Sequence, residues 1–284
     1  MHMDNKIKLM LYIALTFLTI SLLSLWVKKT PWVWGFLSAL SLVFAQRSGQ
    51  LTTKALIPLA IIVILFYVLQ WDVKGLARFV FVGIALFLSG ALFSCLVPGF
   101  PSCFKLSYVQ INFGKILVAL PILGWLLPVL SSKKNWSHFF TRHFSLSVIG
   151  ALLLIAVAYY LHPPIFSFTF FKTSFSMLTW APLYLLCTII PEEALLRGFL
   201  QKEIFPWVGK GLIAHIITVV ISASIFSLFH LVWVSDLLLL ALIFLAGCVY
   251  GALYQITRVI ETNIFCRFIT SCLYFCILSK EGFL

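Results

Sequence analysis

The feature that most limits how this chain can fold is a succession of long, uncharged apolar runs, residues 56–69 among them. In hydrocarbon every backbone N–H and C=O must be bonded internally, so only helices and closed barrels cross a bilayer. Barrel strands alternate apolar and polar over about ten residues. These runs do not alternate, which selects helices. Hydrophobic residues make up 62% of the chain and charged residues 10%, against about 45–50% and 25% in a soluble domain. That composition excludes a soluble globular enzyme, a disordered chain and a collagen-like fibre. Lys and Arg number 20 against 8 Asp and Glu, a net +12. The basic residues stand singly or in pairs between apolar runs, as in loops flanking membrane spans rather than on a nucleic-acid-binding surface. The chain reads as all-α, a polytopic transmembrane helical bundle whose surroundings are membrane lipid, with no nucleic acid as partner.

At about 20 apolar residues per span, candidate runs cover residues 9–27, 31–45, 55–70, 79–97, 115–130, 146–161, 175–190, 212–234, 237–256 and 264–278. Several are short enough for half-spans or re-entrant helices, so about eight to ten spans are expected. The first run is long enough to cross and is followed by Lys28 and Lys29, which reads as a span rather than a cleavable signal peptide. Residues 136–143 read as an interfacial loop. Loops with Lys28, Lys29, Lys74, Arg78, Lys133, Lys134, Arg142, Lys202 and Lys210 alternate with a less basic set, Lys6, Lys8, Arg47, Lys54, Lys105 and Lys172. The richer set is expected on the cytoplasmic side. The cysteines Cys95, Cys103, Cys187, Cys248, Cys266, Cys272 and Cys276 show no metal-ligand spacing and read as small apolar fillers. Organisation divides into residues 1–145, transmembrane helices with little buried polarity, and 146–284, a helical core holding every residue suggestive of chemistry.

Two carboxylates are adjacent at the end of an apolar run, in Pro191-Glu192-Glu193-Ala194-Leu195-Leu196-Arg197. An intramembrane charge costs about 2.5–3.5 kcal/mol on insertion scales, which makes it a functional suspect. On a helix Glu193 and Arg197 face each other, four residues apart. Glu192 points about 100° away and is available for another purpose. The competing reading is a helix end emerging among headgroups with solvated charges. Pro191 favours a helix that restarts or kinks there. Further on, His230 sits mid-run with Phe226 one turn below it on the same face. Taken alone, His230 reads more readily as a satisfied core histidine than as a ligand or base. Together, a carboxylate and an imidazole facing one cavity can bind and deprotonate water.

Glu192-Glu193-x-x-x-Arg197 followed by Phe226-x-x-x-His230 resembles the first two signature motifs of the CPBP intramembrane proteases. These are the type II CAAX prenyl protease and bacteriocin-processing relatives, also called the Abi family. Phe244-x-x-Gly247-x-x-x-Gly251-x-x-Tyr254 is similar to the glycine-spaced helix preceding their third motif, a spacing that lets helices approach closely. The resemblance covers about residues 175–275. It implies a bundle with a cavity open to one leaflet, Glu192 and His230 at the catalytic water, and Glu193, Arg197 and Phe226 as structural support. The substrate would be a membrane-anchored peptide or protein, and the setting a cell membrane, with a bacterial inner membrane expected.

The third motif departs from the family pattern, His-x-x-x-Asn or Asp, which supplies donors to the oxyanion. The preferred register puts Arg267 at the histidine and Ser271 at the asparagine; an alternative puts Ser271 and Phe275 there and abolishes the site. Arg267 is a permanent donor able to stabilise an oxyanion. Its cation needs an acceptor inside the bilayer, and Glu192 and Glu193 are the expected partners. Too few ligands remain for a catalytic zinc, so a glutamate-activated water is expected, with no metal and no cofactor. The expected function is an intramembrane endopeptidase hydrolysing a membrane-proximal peptide bond, with the degenerate third motif expected to impair it. The alternative is a non-catalytic immunity or membrane-binding factor on the same scaffold. A transporter would be expected to carry internal repeats, and none is evident.

Overall fold

The computed structural model of the chain describes residues 5–27, 31–49, 51–69, 71, 73–94, 96, 104–106, 109–111, 143–161, 181–182, 184–232 and 234–278. Among them the only strands form a short two-stranded ribbon, β1 (Phe104–Leu106) and β2 (Val109–Ile111); all other regular elements are helices. The described residues fall into two compact units. One lies within residues 1–104, 111–132 and 186–191, the other within 105–110, 133–185 and 192–284.

The first unit contains α1 (Asn5–Val27), α2 (Pro31–Arg47), α3 (Thr53–Val68) and α4 (Gly75–Phe93). Helices α1 and α2 pack through small residues, because without a hydrophobic drive in lipid, close backbone approach and hydrogen bonds hold helices together. The Ser21 and Ser38 hydroxyls lie 2.8 Å apart, and Ser41 Oγ donates to the Ala14 carbonyl at 2.9 Å. Phe17 and Phe44 stack at 5.7 Å beside that seam. Among the described residues of this unit every buried polar side chain is a serine. It holds helices together and offers no buried charge for chemistry.

The second unit contains α5 (Phe144–Leu161), then α6 (Ile190–Glu193, shared at its start with the first unit), a π-helical segment (Ala194–Gln201) and α7 (Lys202–Val208). It closes with α8 (Leu212–His230), α9 (Leu237–Thr257) and α10 (Ile260–Leu278). Arg258, left-handed at φ 54°, turns the chain between α9 and α10. On α5 the small residues Ser147, Gly150 and Ala151 are buried, while Ile149, Leu152 and Leu153 are exposed. Apolar outside and small inside is what a lipid-facing helix needs.

Among the described residues four helices, α4, α5, α8 and α9, are long and apolar enough to cross a membrane. They match the runs at 79–97, 146–161, 212–234 and 237–256, and the chain is a predominantly helical integral membrane protein. Shorter apolar helices cover Leu9–Ser21, Phe36–Arg47 and Thr53–Val68. The run at 115–130, residues 136–142 of the interfacial loop at 136–143, and residues 175–180 and 183 of the run at 175–190 lie outside the described residues. Cys248, Cys266 and Cys272 are thiols rather than half-cystines.

Gly247 sets the α8–α9 approach. A Cβ there would lie 3.0 Å from both Cα and Cβ of Ala223 and 3.1 Å from the Phe226 ring. Backbone cannot swing aside as a side chain does. Gly247→Ala is therefore expected to cost about 1–3 kcal/mol, the usual range for overpacking, and to lower the thermal unfolding midpoint in detergent. An unchanged midpoint would show that α8 and α9 have slack at this crossing.

Candidate functional site

Pro191 sits within the helical stretch that carries the carboxylates, where it lacks the N–H that an α-helix would direct at an i−4 carbonyl. The stretch continues through it, with π-helical turns at Leu185–Ile189 and Ala194–Gln201 on either side of α6. Such i→i+5 turns mark places where a helix accommodates an irregularity, frequently at functional sites. From Pro191 to Gln201 every residue is buried. Glu192 is 3% exposed, Glu193 and Arg197 are 0% exposed. The solvated helix end is thereby set aside.

Four ionisable side chains meet in the interior of the second unit. Arg267, on α10, directs Nη2 to Glu192 Oε2 and Nη1 to Glu193 Oε1, the latter at 3.1 Å. Arg197 Nε faces Glu193 Oε2 at 3.4 Å, a Coulombic pair rather than a directed hydrogen bond. Its other nitrogens donate to Ser222 Oγ at 2.5 Å and to the Gly247 carbonyl at 3.1 Å. Two carboxylates and two guanidiniums make a neutral cluster. Neutrality is what permits it here, since an unpaired ion in low dielectric would cost several kcal/mol. Ser222 lies ten residues into α8, roughly 15 Å along its axis at 1.5 Å per residue. That is half the hydrocarbon thickness of about 30 Å, so the cluster sits near mid-span.

Phe226 is the aromatic hub of the cluster. The guanidinium carbon of Arg267 lies 4.8 Å from its ring centroid and that of Arg197 5.9 Å away. His230 packs edge-on against the same ring at 4.6 Å between centroids, and Tyr250 at 6.4 Å. The half-buried His230 ring has Nδ1 2.8 Å from the Phe226 carbonyl oxygen. An acceptor there assigns the proton to Nδ1 and makes Nε2 the lone-pair nitrogen of the neutral ring. The structure thus joins Glu192, Glu193, Arg197, Arg267 and Phe226 directly, and brings His230 in through the Phe226 ring. Ser271 lies one turn beyond Arg267 and is half-buried. Among the described residues no hydrogen bond joins it to the carboxylates.

Three polar residues of this interior have no place in the sequence motifs. Gln201 Nε2 donates to the Gly251 carbonyl at 2.8 Å, Asn263 Nδ2 to the Tyr250 carbonyl at 2.8 Å, and Ser222 receives Arg197. Each is four residues from a motif residue: Gln201 after Arg197, Asn263 before Arg267, Ser222 before Phe226. Helical spacing places each on the same face as its motif residue. The glycines of α9 also do more than admit a neighbour. With no side chain in the way, their carbonyls keep a lone pair open to Arg197 and Gln201. Among the described residues no three His, Cys, Asp or Glu side chains gather in a way that would hold a metal ion.

Comparison with known families gives a match over residues 173–273 to the family described as type II CAAX prenyl endopeptidase Rce1-like. Comparison with curated proteins and with solved structures finds no match. The matched stretch contains the carboxylate pair, Arg197, Phe226, His230, the glycine-spaced helix, Arg267 and Ser271. Residues 173–273 of the chain are thus similar to the type II CAAX prenyl endopeptidase family.

Proposed function

We propose that the chain is an intramembrane endopeptidase of the CAAX type that turns over slowly because Arg267 holds its general base. In this reading Glu192 takes a proton from a water whose oxygen adds to the carbonyl carbon of a membrane-proximal peptide bond. His230, with Nε2 as acceptor, orients that water. Arg267 and Ser271 donate to the oxyanion; the C–N bond then breaks and the leaving amine receives the proton held by Glu192. Glu193 and Arg197 keep the helix end in place. The substrate class is a peptide or protein anchored in the bilayer.

The observation that carries this reading is the pairing of Arg267 with both buried carboxylates. Lone pairs of Glu192 that hold a guanidinium are not available to a water proton. The same pairing favours a second reading, a non-catalytic membrane protein on this scaffold, because a neutral cluster is stable without substrate. Replacing Arg267 by His and Ser271 by Asn separates the two. In the first reading the double variant frees Glu192 and supplies compact donors. Hydrolysis of a panel of membrane-anchored peptides should then rise on the order of 10²-fold, the scale of one well-placed oxyanion donor. Equal or lower turnover in a folded double variant would favour the non-catalytic scaffold.

A further inference from the structure

The α8, α9 and π-helical elements meet along a seam whose polar groups recur one helical turn apart. At the ion cluster the three contribute Ser222, the Gly247 carbonyl and Arg197. One turn away the Gly251 carbonyl accepts from Gln201, and a Cβ built on Gly251 would lie 3.5 Å from Gln201 Oε1 and 3.1 Å from Val219, the neighbour of Thr218. A turn further, His215 Nδ1 and Gln255 Oε1 are 2.9 Å apart. Beside them the Phe205 ring stacks on His215 at 4.6 Å and carries the Arg258 guanidinium at 4.7 Å. The residues involved are Ser222, Thr218 and His215 on α8, Gly247, Gly251 and Gln255 on α9, and Arg197, Gln201 and Phe205 on the third strip. Each layer steps toward the end of the unit where Lys210 and Arg258 are exposed.

Several atoms along this seam have no protein partner among the described residues. Gln201 and Thr218 are both 0% exposed. Gln201 Oε1, Thr218 Oγ1 and Gln255 Nε2 are buried atoms without a hydrogen bond. A buried polar atom left unpaired carries its full desolvation penalty, and such atoms in native proteins are normally met by internal water. The chemistry of the set selects water over an ion. An amide oxygen wants a donor and repels an anion; the Gln255 amide N–H₂ one layer away, with Arg197 one turn to the other side, repels a cation. Water both donates to the first and accepts from the second.

We propose that this seam holds a file of internal water molecules. It runs from the His215–Gln255 layer past Gln201 and Thr218 to Arg197 and Glu193, and links the buried carboxylates to the aqueous phase at the Lys210–Arg258 end. That the file feeds a hydrolytic step rests on the endopeptidase reading; that it holds water does not. The two therefore fail separately, and the test reads hydration and stability rather than turnover.

Thr218→Val swaps a hydroxyl for a methyl of the same shape and similar helix preference. If Thr218 Oγ1 were dry, the variant would shed an unpaired polar atom and its unfolding midpoint in detergent would rise. With water bound there, the variant breaks that water's bonds and the midpoint falls, by about 2–4 °C. A raised or unchanged midpoint overturns the proposal. Should the variant fail to fold, the unsubstituted protein in lipid nanodiscs, at a resolution that displays ordered water, supplies the second measurement. Density bridging Gln201 Oε1 and Thr218 Oγ1 is expected. Ordered side chains with no density between them overturn the proposal.

Discussion

Arg197→Ala is expected to leave little folded protein in detergent, with a loss of about 3–5 kcal/mol, the range for removing one partner of a buried ion pair. Among the described residues Arg197 is the largest side chain that is fully buried. Its removal opens a cavity, strips the Gly247 carbonyl and Ser222 Oγ of their donor, and leaves two carboxylates facing Arg267 alone. The cluster changes from neutral to a net −1 in the middle of a span. Folded yield by size exclusion and the thermal midpoint are the measurements. Arg197→Lys keeps the charge but loses the planar fork that reaches three partners at once, so it should fall between Ala and the native chain. A monodisperse, full-yield Arg197→Ala protein would contradict a structural role for the pair.

Much of this site was legible in the sequence because intramembrane charge is rare and must be explained. The pair Glu193 and Arg197 follows from i,i+4 spacing, and the observed separation is 3.4 Å. That Arg267 needs an acceptor follows from the cost of an unpaired cation in lipid, and few carboxylates are in reach. The sequence does not reveal that Arg267 takes both carboxylates at once. That depends on where α10 sits against α6. Apolar periodicity carries no signature of how two helices pack. Gln201, Ser222 and Asn263 escaped for another reason. A single neutral polar residue in an apolar helix is common, and only the backbone carbonyls of the partner helix reveal what it bonds. In the first unit the position is reversed: long apolar runs identify helices, but the α1–α2 seam is made by serines whose pairing depends on register between helices.

Glu192→Gln is expected to abolish hydrolysis while sparing the fold, and the two effects separate base from scaffold. Glutamine has the size of glutamate, and its amide oxygen still accepts from Arg267. In the native chain the change would leave the cluster at net +1, but in the Arg267→His, Ser271→Asn background it leaves Glu193 and Arg197, 3.4 Å apart, as a neutral pair. There the folded yield should survive far better than that of Arg197→Ala. An amide cannot take a proton from water at neutral pH, so the chemical step loses its base, a loss of about 10²–10⁴ in turnover. On the proposal that Arg267 restrains the native site, the comparison belongs in the Arg267→His, Ser271→Asn background, where turnover is expected to be highest. In that background Glu193 also loses its Arg267 partner and becomes the alternative base. Turnover unchanged by Glu192→Gln but lost with Glu193→Gln would assign the proton to Glu193 and make Glu192 the supporting carboxylate.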